Sequence, residues 1–162
     1  MERVSKTNYY LDIAQTVAER STCLRRHFGA IIVKDDSSVS TGYNGAPRGR
    51  NNCSDMGQCY REKLGIPRGE RYELCRAVHA EANAIIAASY SQTQGSTIYL
   101  ACTDPETGKI NPNTNSCSMC KRLIINAGVS KIIVRETETE YTVYDVHDWI
   151  INDDSLSGQF GY

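Results

Sequence analysis

His79 and Glu81, in Val78-His79-Ala80-Glu81, and Cys117 and Cys120, in Ser116-Cys117-Ser118-Met119-Cys120, are the residues whose types and spacing can do chemistry. One imidazole and two thiolates give Zn²⁺ three ligands, and a tetrahedral ion held by only three keeps a corner for water. Water held there becomes acidic near neutral pH. Its proton needs a carrier, and Glu81, two residues past the histidine, is the candidate. The plainer alternative is a closed structural site, for which Cys102 is the obvious fourth ligand. His27 and His147 have no metal spacing with the cysteines and are read as surface or satisfied core residues.

These ligands fall where helices are expected to begin. Helix starts expose free N–H groups and the positive end of the dipole, which favours thiolate over thiol. Residues 79–89 are rich in alanine and isoleucine and read as a helix buried on most sides. Residues 117–126 read as a second helix, stopped by Gly128 and capped by Ser116. Apolar spacing predicts an amphipathic helix over 9–20 that covers a sheet. Strands are expected at 28–34 and 39–43, joined by a polar turn as a hairpin, and again at 97–102 and 131–135. An edge strand over 141–146 and a short helical segment over 147–152 follow, with a mobile tail at 153–162. The alternation predicts one domain over 1–152: a three-layer α/β/α sandwich with a mixed five-stranded sheet.

Between 44 and 74 the composition turns to Gly, Pro, Asn and charge, with no evident regular element. A structureless stretch of that length needs a pin. Cys53, Cys59 and Cys75 lie in or beside it and are candidates.

The 162 residues suffice for a core without disulfides, and seven cysteines cannot all pair internally. Metal explains them better, and the expected compartment is the reducing cytoplasm. No apolar leader core opens the chain and no apolar run spans a bilayer. Lys and Arg number 18 against 19 Asp and Glu, so no global basic field recruits nucleic acid. Arg25, Arg26, Arg48, Arg50 and Arg71 could still form a local patch for nucleic acid, the plainer readings being a site for the phosphate of a mononucleotide or solvated surface.

The H-x-E and C-x-x-C pair resembles the signature of zinc nucleobase deaminases, with Ser116 where proline is usual. Over roughly Tyr10 to Arg135 the chain is similar to the deoxycytidylate deaminase family of the cytidine deaminase superfamily. The likeness is carried by Arg20-Ser21-Thr22-Cys23-Leu24-Arg25-Arg26, by Gly42-Tyr43-Asn44-Gly45-Ala46-Pro47, and by Arg61-Glu62-Lys63-Leu64-Gly65-Ile66-Pro67 with Glu73-Leu74-Cys75. The resemblance implies hydrolytic conversion of dCMP to dUMP and ammonia. His79, Cys117 and Cys120 would hold catalytic zinc, with Glu81 as proton shuttle, backbone at Ala80 on the base and Asn44 on the sugar. It also implies a homo-oligomer, hexamer or trimer, and dCTP and dTTP effectors, with Mg²⁺, at Gly42, Tyr43 and Gly45. A second, structural zinc on Cys23, Cys53, Cys59 and Cys75 would be the pin. Buried free thiols and a plain loop are the alternatives.

Loop 104–115 looks inserted before the cysteine pair, where it would stand at the mouth of the site and bear on substrate choice. Three rival functions remain: a tRNA adenosine deaminase, a deaminase of another base or nucleoside, and a zinc-stabilised module that binds a nucleotide without turning it over.

Overall fold

The structure, a computed structural model, describes residues 1–152, so the expected mobile tail at 153–162 lies outside the described residues. The chain runs α1 (Lys6–Ala18), β1 (His27–Lys34), β2 (Ser37–Tyr43), α2 (Cys53–Met56), α3 (Tyr60–Lys63), α4 (Ala80–Ile86), α5 (Tyr90–Thr93), β3 (Thr97–Thr103), α6 (Ser118–Asn126), β4 (Lys131–Arg135), β5 (Tyr141–Asp145) and α7 (Val146–Ile151), with a 3₁₀ turn at Tyr72–Leu74 before α4. The sheet order is β2-β1-β3-β4-β5. Three of its pairings are antiparallel and β3–β4 is parallel, giving the mixed sheet and opening hairpin that the sequence predicts.

Alternation along the strands makes the three layers. Ile31, Val33, Tyr99 and Ile133 point to one face and pack on Tyr10, Leu11 and Ala14 of α1. Ala30, Ile32, Ile98, Leu100, Ile132 and Val134 point to the other, under Ala80 and Ala84 of α4 and Cys120 and Ile124 of α6. Ser5 opens α1 by accepting the Asn8 N–H at 3.2 Å.

Two glycines set how close the helices lie. A Cβ at Gly29 would strike the backbone of Ala14 and Ala18 in α1, and one at Gly42 would strike the backbone of Ala80 and Ala84 in α4. Gly42 therefore seats the helix that follows His79 directly on β2.

Helix α4 is shorter and less enclosed than expected. Ala80, Glu81 and Ala84 are buried, but Ile86 is 75 % exposed, and the chain restarts as α5 after a Ser89–Gln92 capping box. One buried face is enough here, because α4 packs chiefly on β1, β2 and α6.

Segment 44–74 is ordered in short pieces rather than structureless. Gly45 and Val78 exchange backbone hydrogen bonds, Asn52 and Asp55 form a capping box for α2, and Arg76 Nε donates to the Asn51 carbonyl at 2.6 Å. Arg61, 4 % exposed, donates to the carbonyls of Pro67 at 3.0 Å and Glu70 at 2.6 Å, and its guanidinium lies 4.1 Å from the centre of the Tyr72 ring.

Gly42→Ala is expected to lower unfolding stability by about 2 kcal/mol or more, since rigid backbone must give way. Urea denaturation checks it. A variant as stable as wild type would mean that α4 does not sit where described.

Candidate metal and active site

His79 is the N-cap of α4 and Cys117 the N-cap of α6, both with extended backbone, so the two helices start facing one another. Cys120 follows Cys117 by three residues and lies on the same side of the first turn. Cys117, not Ser116, occupies the cap position, which corrects the expected role of the Ser116 hydroxyl. Gly128, with φ 74°, ends α6 as expected.

The His79 Nδ1 atom lies 3.4 Å from Cys117 Sγ and 3.5 Å from Cys120 Sγ. With Zn–S about 2.3 Å and Zn–N about 2.05 Å, tetrahedral geometry sets sulfur and nitrogen ligands about 3.6 Å apart, so the donor set fits zinc. Among the described residues this is the group of three or more His, Cys, Asp or Glu ligand atoms lying within 4.8 Å of one another. Cys102 is outside it. Its buried thiol takes the Asn111 amide at 3.8 Å and is pushed up to about 11, chiefly by burial. Neither His27 nor His147 joins the group.

The electrostatics are those of a site built around a cation. The hydrogen bond from Cys120 holds Cys117 down at about 4, and the same bond, with burial, pushes Cys120 up. Burial would depress His79, but its bonds to Cys117 and Cys75 and the charge of Glu81 lift it to about 10. Burial raises Glu81 above the ordinary carboxylate range, opposed by His79. The Ser116 hydroxyl stands near enough to Glu81 to favour its carboxylate, yet makes no well-formed hydrogen bond.

A cavity of about 110 Å³ opens on His79, Glu81 and Cys117. Arg25, Arg26, Arg61 and Arg68 line it, and Glu81 is the one carboxylate among its lining residues. Arg25 is partly committed to Glu62 at 2.9 Å, whereas Arg26 and Arg68 have no carboxylate within 4.0 Å among the described residues. Of the expected basic patch, Arg48 and Arg50 are exposed outside the cavity lining and Arg71 pairs with Glu73 at 2.5 Å. Arg61, Arg68, Tyr72 and Phe28 are cavity residues that sequence reasoning left unassigned. The Tyr72 ring meets His79 edge-on, with centroids 5.5 Å apart.

Asn44 and Ala80 both line the cavity. Asn44, 6 % exposed, is also a structural tie: its Oδ1 accepts from Ser21 Oγ at 2.5 Å and Phe28 N–H at 2.9 Å, and its Nδ2 donates to Arg26 carbonyl at 2.9 Å. The expected effector loop is not an open anion cradle. Gly42 is packed under α4, the Gly45 N–H is spent on Val78, and the Asn44 and Ala46 N–H groups bond Phe28 carbonyl and Asn52 Oδ1. The Tyr43 carbonyl is likewise taken, by Asn83.

Cys23, Cys59 and Cys75 line the same cavity, and the Cys53 thiol is raised first by burial and then by Cys23, Cys59 and Cys75. These four thiols gather without reaching metal-ligand spacing. Arg61 ties the end of the long segment through its bonds to the Pro67 and Glu70 carbonyls.

A family model for the cytidine and deoxycytidylate deaminase zinc-binding region matches residues 4–136. The chain belongs to this family. It is 35 % identical over 138 residues to a deoxycytidylate deaminase of Mycobacterium phage D29, covering 82 % of this chain and 96 % of that protein. It is 30 % identical over 131 residues to the deoxycytidylate deaminase of Schizosaccharomyces pombe, covering 81 % of this chain but only 37 % of that protein. The dCMP deaminase of cyanophage S-TIM5, solved with dCMP and dUMP, shares the fold at TM-score 0.56 and 24 % identity, over 96 % of this chain and 95 % of that one. Among the described residues no helix is long and apolar enough to cross a membrane.

Cys117→Ser is expected to cost one zinc per chain, while Cys102→Ser keeps the full complement; elemental analysis of the purified variants checks this. Loss of zinc from the Cys102 variant alone would make Cys102 a ligand and close the site.

Proposed function

We propose that the protein hydrolyses a cytosine mononucleotide, dCMP to dUMP and ammonia, in the cytoplasm, where its free thiols stay reduced. The observation that carries this is the cavity itself: a zinc-fitting triad and one buried carboxyl, lined by four arginines of which Arg25 alone is paired with a carboxylate among the described residues. A guanidinium as buried as Arg61, with Nε left without a partner among the described residues, is costly unless an anion completes it. A 5′-phosphate is such an anion, and the names of the relatives agree.

His79, Cys117 and Cys120 would hold the zinc, which when bound supplies a Lewis acid that makes water nucleophilic near neutral pH. Glu81 would take a proton from the attacking water and give it to the ring nitrogen, then take the proton of the hydroxyl added at C4 and give it to the amine, which leaves as ammonia. Burial suits it to this work, because a raised pKa lets one carboxyl both hold and release a proton near neutrality. The Ala80 backbone and the remaining Asn44 amide proton orient base and sugar.

A second zinc on Cys23, Cys53, Cys59 and Cys75 is the finer part of the proposal; it requires those thiols to close to the about 3.8 Å spacing of tetrahedral sulfur ligands. Two zincs per chain would support it and one would end it. Exposed Tyr141, Val143, Ile150 and Ile151 on β5 and α7 favour a homo-oligomer, hexamer or trimer, which light scattering would count.

Wild type is expected to release ammonia from dCMP with kcat/KM at least about 100-fold above that for deoxycytidine, the worth of one to two charge-assisted bonds. Glu81→Gln should keep its zinc and lose about 10³-fold or more in kcat. Equal turnover of nucleoside and nucleotide would remove the phosphate from the proposal. Ammonia release from adenosine in tRNA, or from no base at all, would move the protein to one of its rival functions.

A further inference from the structure

Loop 104–115 is held at both ends rather than hanging over the site. Thr103 bridges Ile110, the Asn111 N–H donates to the Cys102 carbonyl at 2.8 Å, and the Asn113 N–H donates to Glu136 Oε2 at 2.7 Å, with Asn113 itself at φ 57°. On the far side the Ser116 N–H donates to Asn115 Oδ1 at 2.8 Å, immediately before the metal ligand Cys117. Thr114 sits between Asn113, which is tied to Glu136, and Asn115, whose side chain accepts the N–H of its own neighbour. It lines the cavity that also contains Glu81, Cys117 and Tyr72. It is 3 % exposed, and its hydroxyl has no hydrogen-bond partner among the described residues.

Buried hydroxyls are almost always bonded, and one that is not weakens the fold relative to an apolar group of the same shape. Valine is that shape. A covered, unpartnered hydroxyl on a residue that lines the cavity is therefore explained by a partner that arrives with the ligand. The arginines of the cavity account for an anion, but a neutral hydroxyl is suited to a neutral donor or acceptor, and a pyrimidine ring offers both. Thr114 stands three residues before Cys117 in sequence and lines the same cavity as Glu81.

We propose that Thr114 is a specificity-determining residue of this site, its hydroxyl completing a hydrogen bond with the polar edge of the bound pyrimidine. The inference rests on the deaminase reading above, and it assigns to the inserted loop the task of recognising the base.

The test compares the zinc-loaded wild-type protein with Thr114→Val and Thr114→Ser, measuring ammonia release from dCMP, binding of dUMP by calorimetry and the urea midpoint of each. Thr114→Val is expected to lower kcat/KM and weaken dUMP binding by about tenfold or more while its urea midpoint stays equal or rises, and Thr114→Ser is expected to restore most of the loss. A valine variant with kcat/KM and dUMP affinity within twofold of wild type overturns the proposal. So does a valine variant whose midpoint falls, since the hydroxyl would then have an internal partner such as buried water. Should wild type release no ammonia from any pyrimidine nucleotide, the deaminase reading fails. The role of Thr114 is then decided by dUMP binding alone: weaker in the valine variant supports it, and unchanged or absent binding overturns it.

Discussion

An imidazole nitrogen within 3.5 Å of two buried sulfurs, on a half-buried ring, is an arrangement that a cation makes comfortable. Cys117 is held low by its hydrogen bonds to Cys120 and His79, and His79 is held high by its bonds to Cys117 and Cys75, so each favours charge on the other. The rest of the chain is arranged to impose this proximity. Both helices that begin at the ligands are pressed onto the same sheet face by Ala84, Ile124 and the strand residues beneath them. Gly42 lets the first come close, and the β3–β4 crossover delivers the second.

Around that centre the molecule accumulates costs that make sense only with a ligand in view. Arg61 is buried on carbonyl oxygens and an aromatic face instead of a carboxylate, a solution that holds the Pro67–Glu70 loop but leaves its charge uncancelled. Glu81 is buried beside Cys117, and burial first and then the charge of that sulfur oppose its ionisation. Burial of polar groups beyond what folding needs is the mark of a site in which function is set against stability.

The sequence made the metal ligands legible because H-x-E and C-x-x-C are local patterns, readable without knowing what lies across the fold. The hairpin was equally plain from its alternating strands and polar turn. Segment 44–74 was not, because its order comes from contacts distant in sequence or specific in geometry: Gly45 with Val78, Arg76 with Asn51, and Arg61 inside a loop whose composition looks like solvent-exposed chain. No periodicity announces an arginine that points inward. The cap of α6 was misassigned for a related reason. Ser116 has the better capping side chain, but Cys117 must take the cap position to aim its sulfur at His79, and the metal site outranks local preference.

The most direct test of this account is a crystal structure of the zinc-loaded protein, read for the coordination of the ion beside His79. The account predicts His79 Nδ1, Cys117 Sγ, Cys120 Sγ and one water, with the Glu81 carboxylate in hydrogen-bonding contact with that water. A fourth protein donor in place of the water, or Glu81 turned out of reach of it, would contradict it.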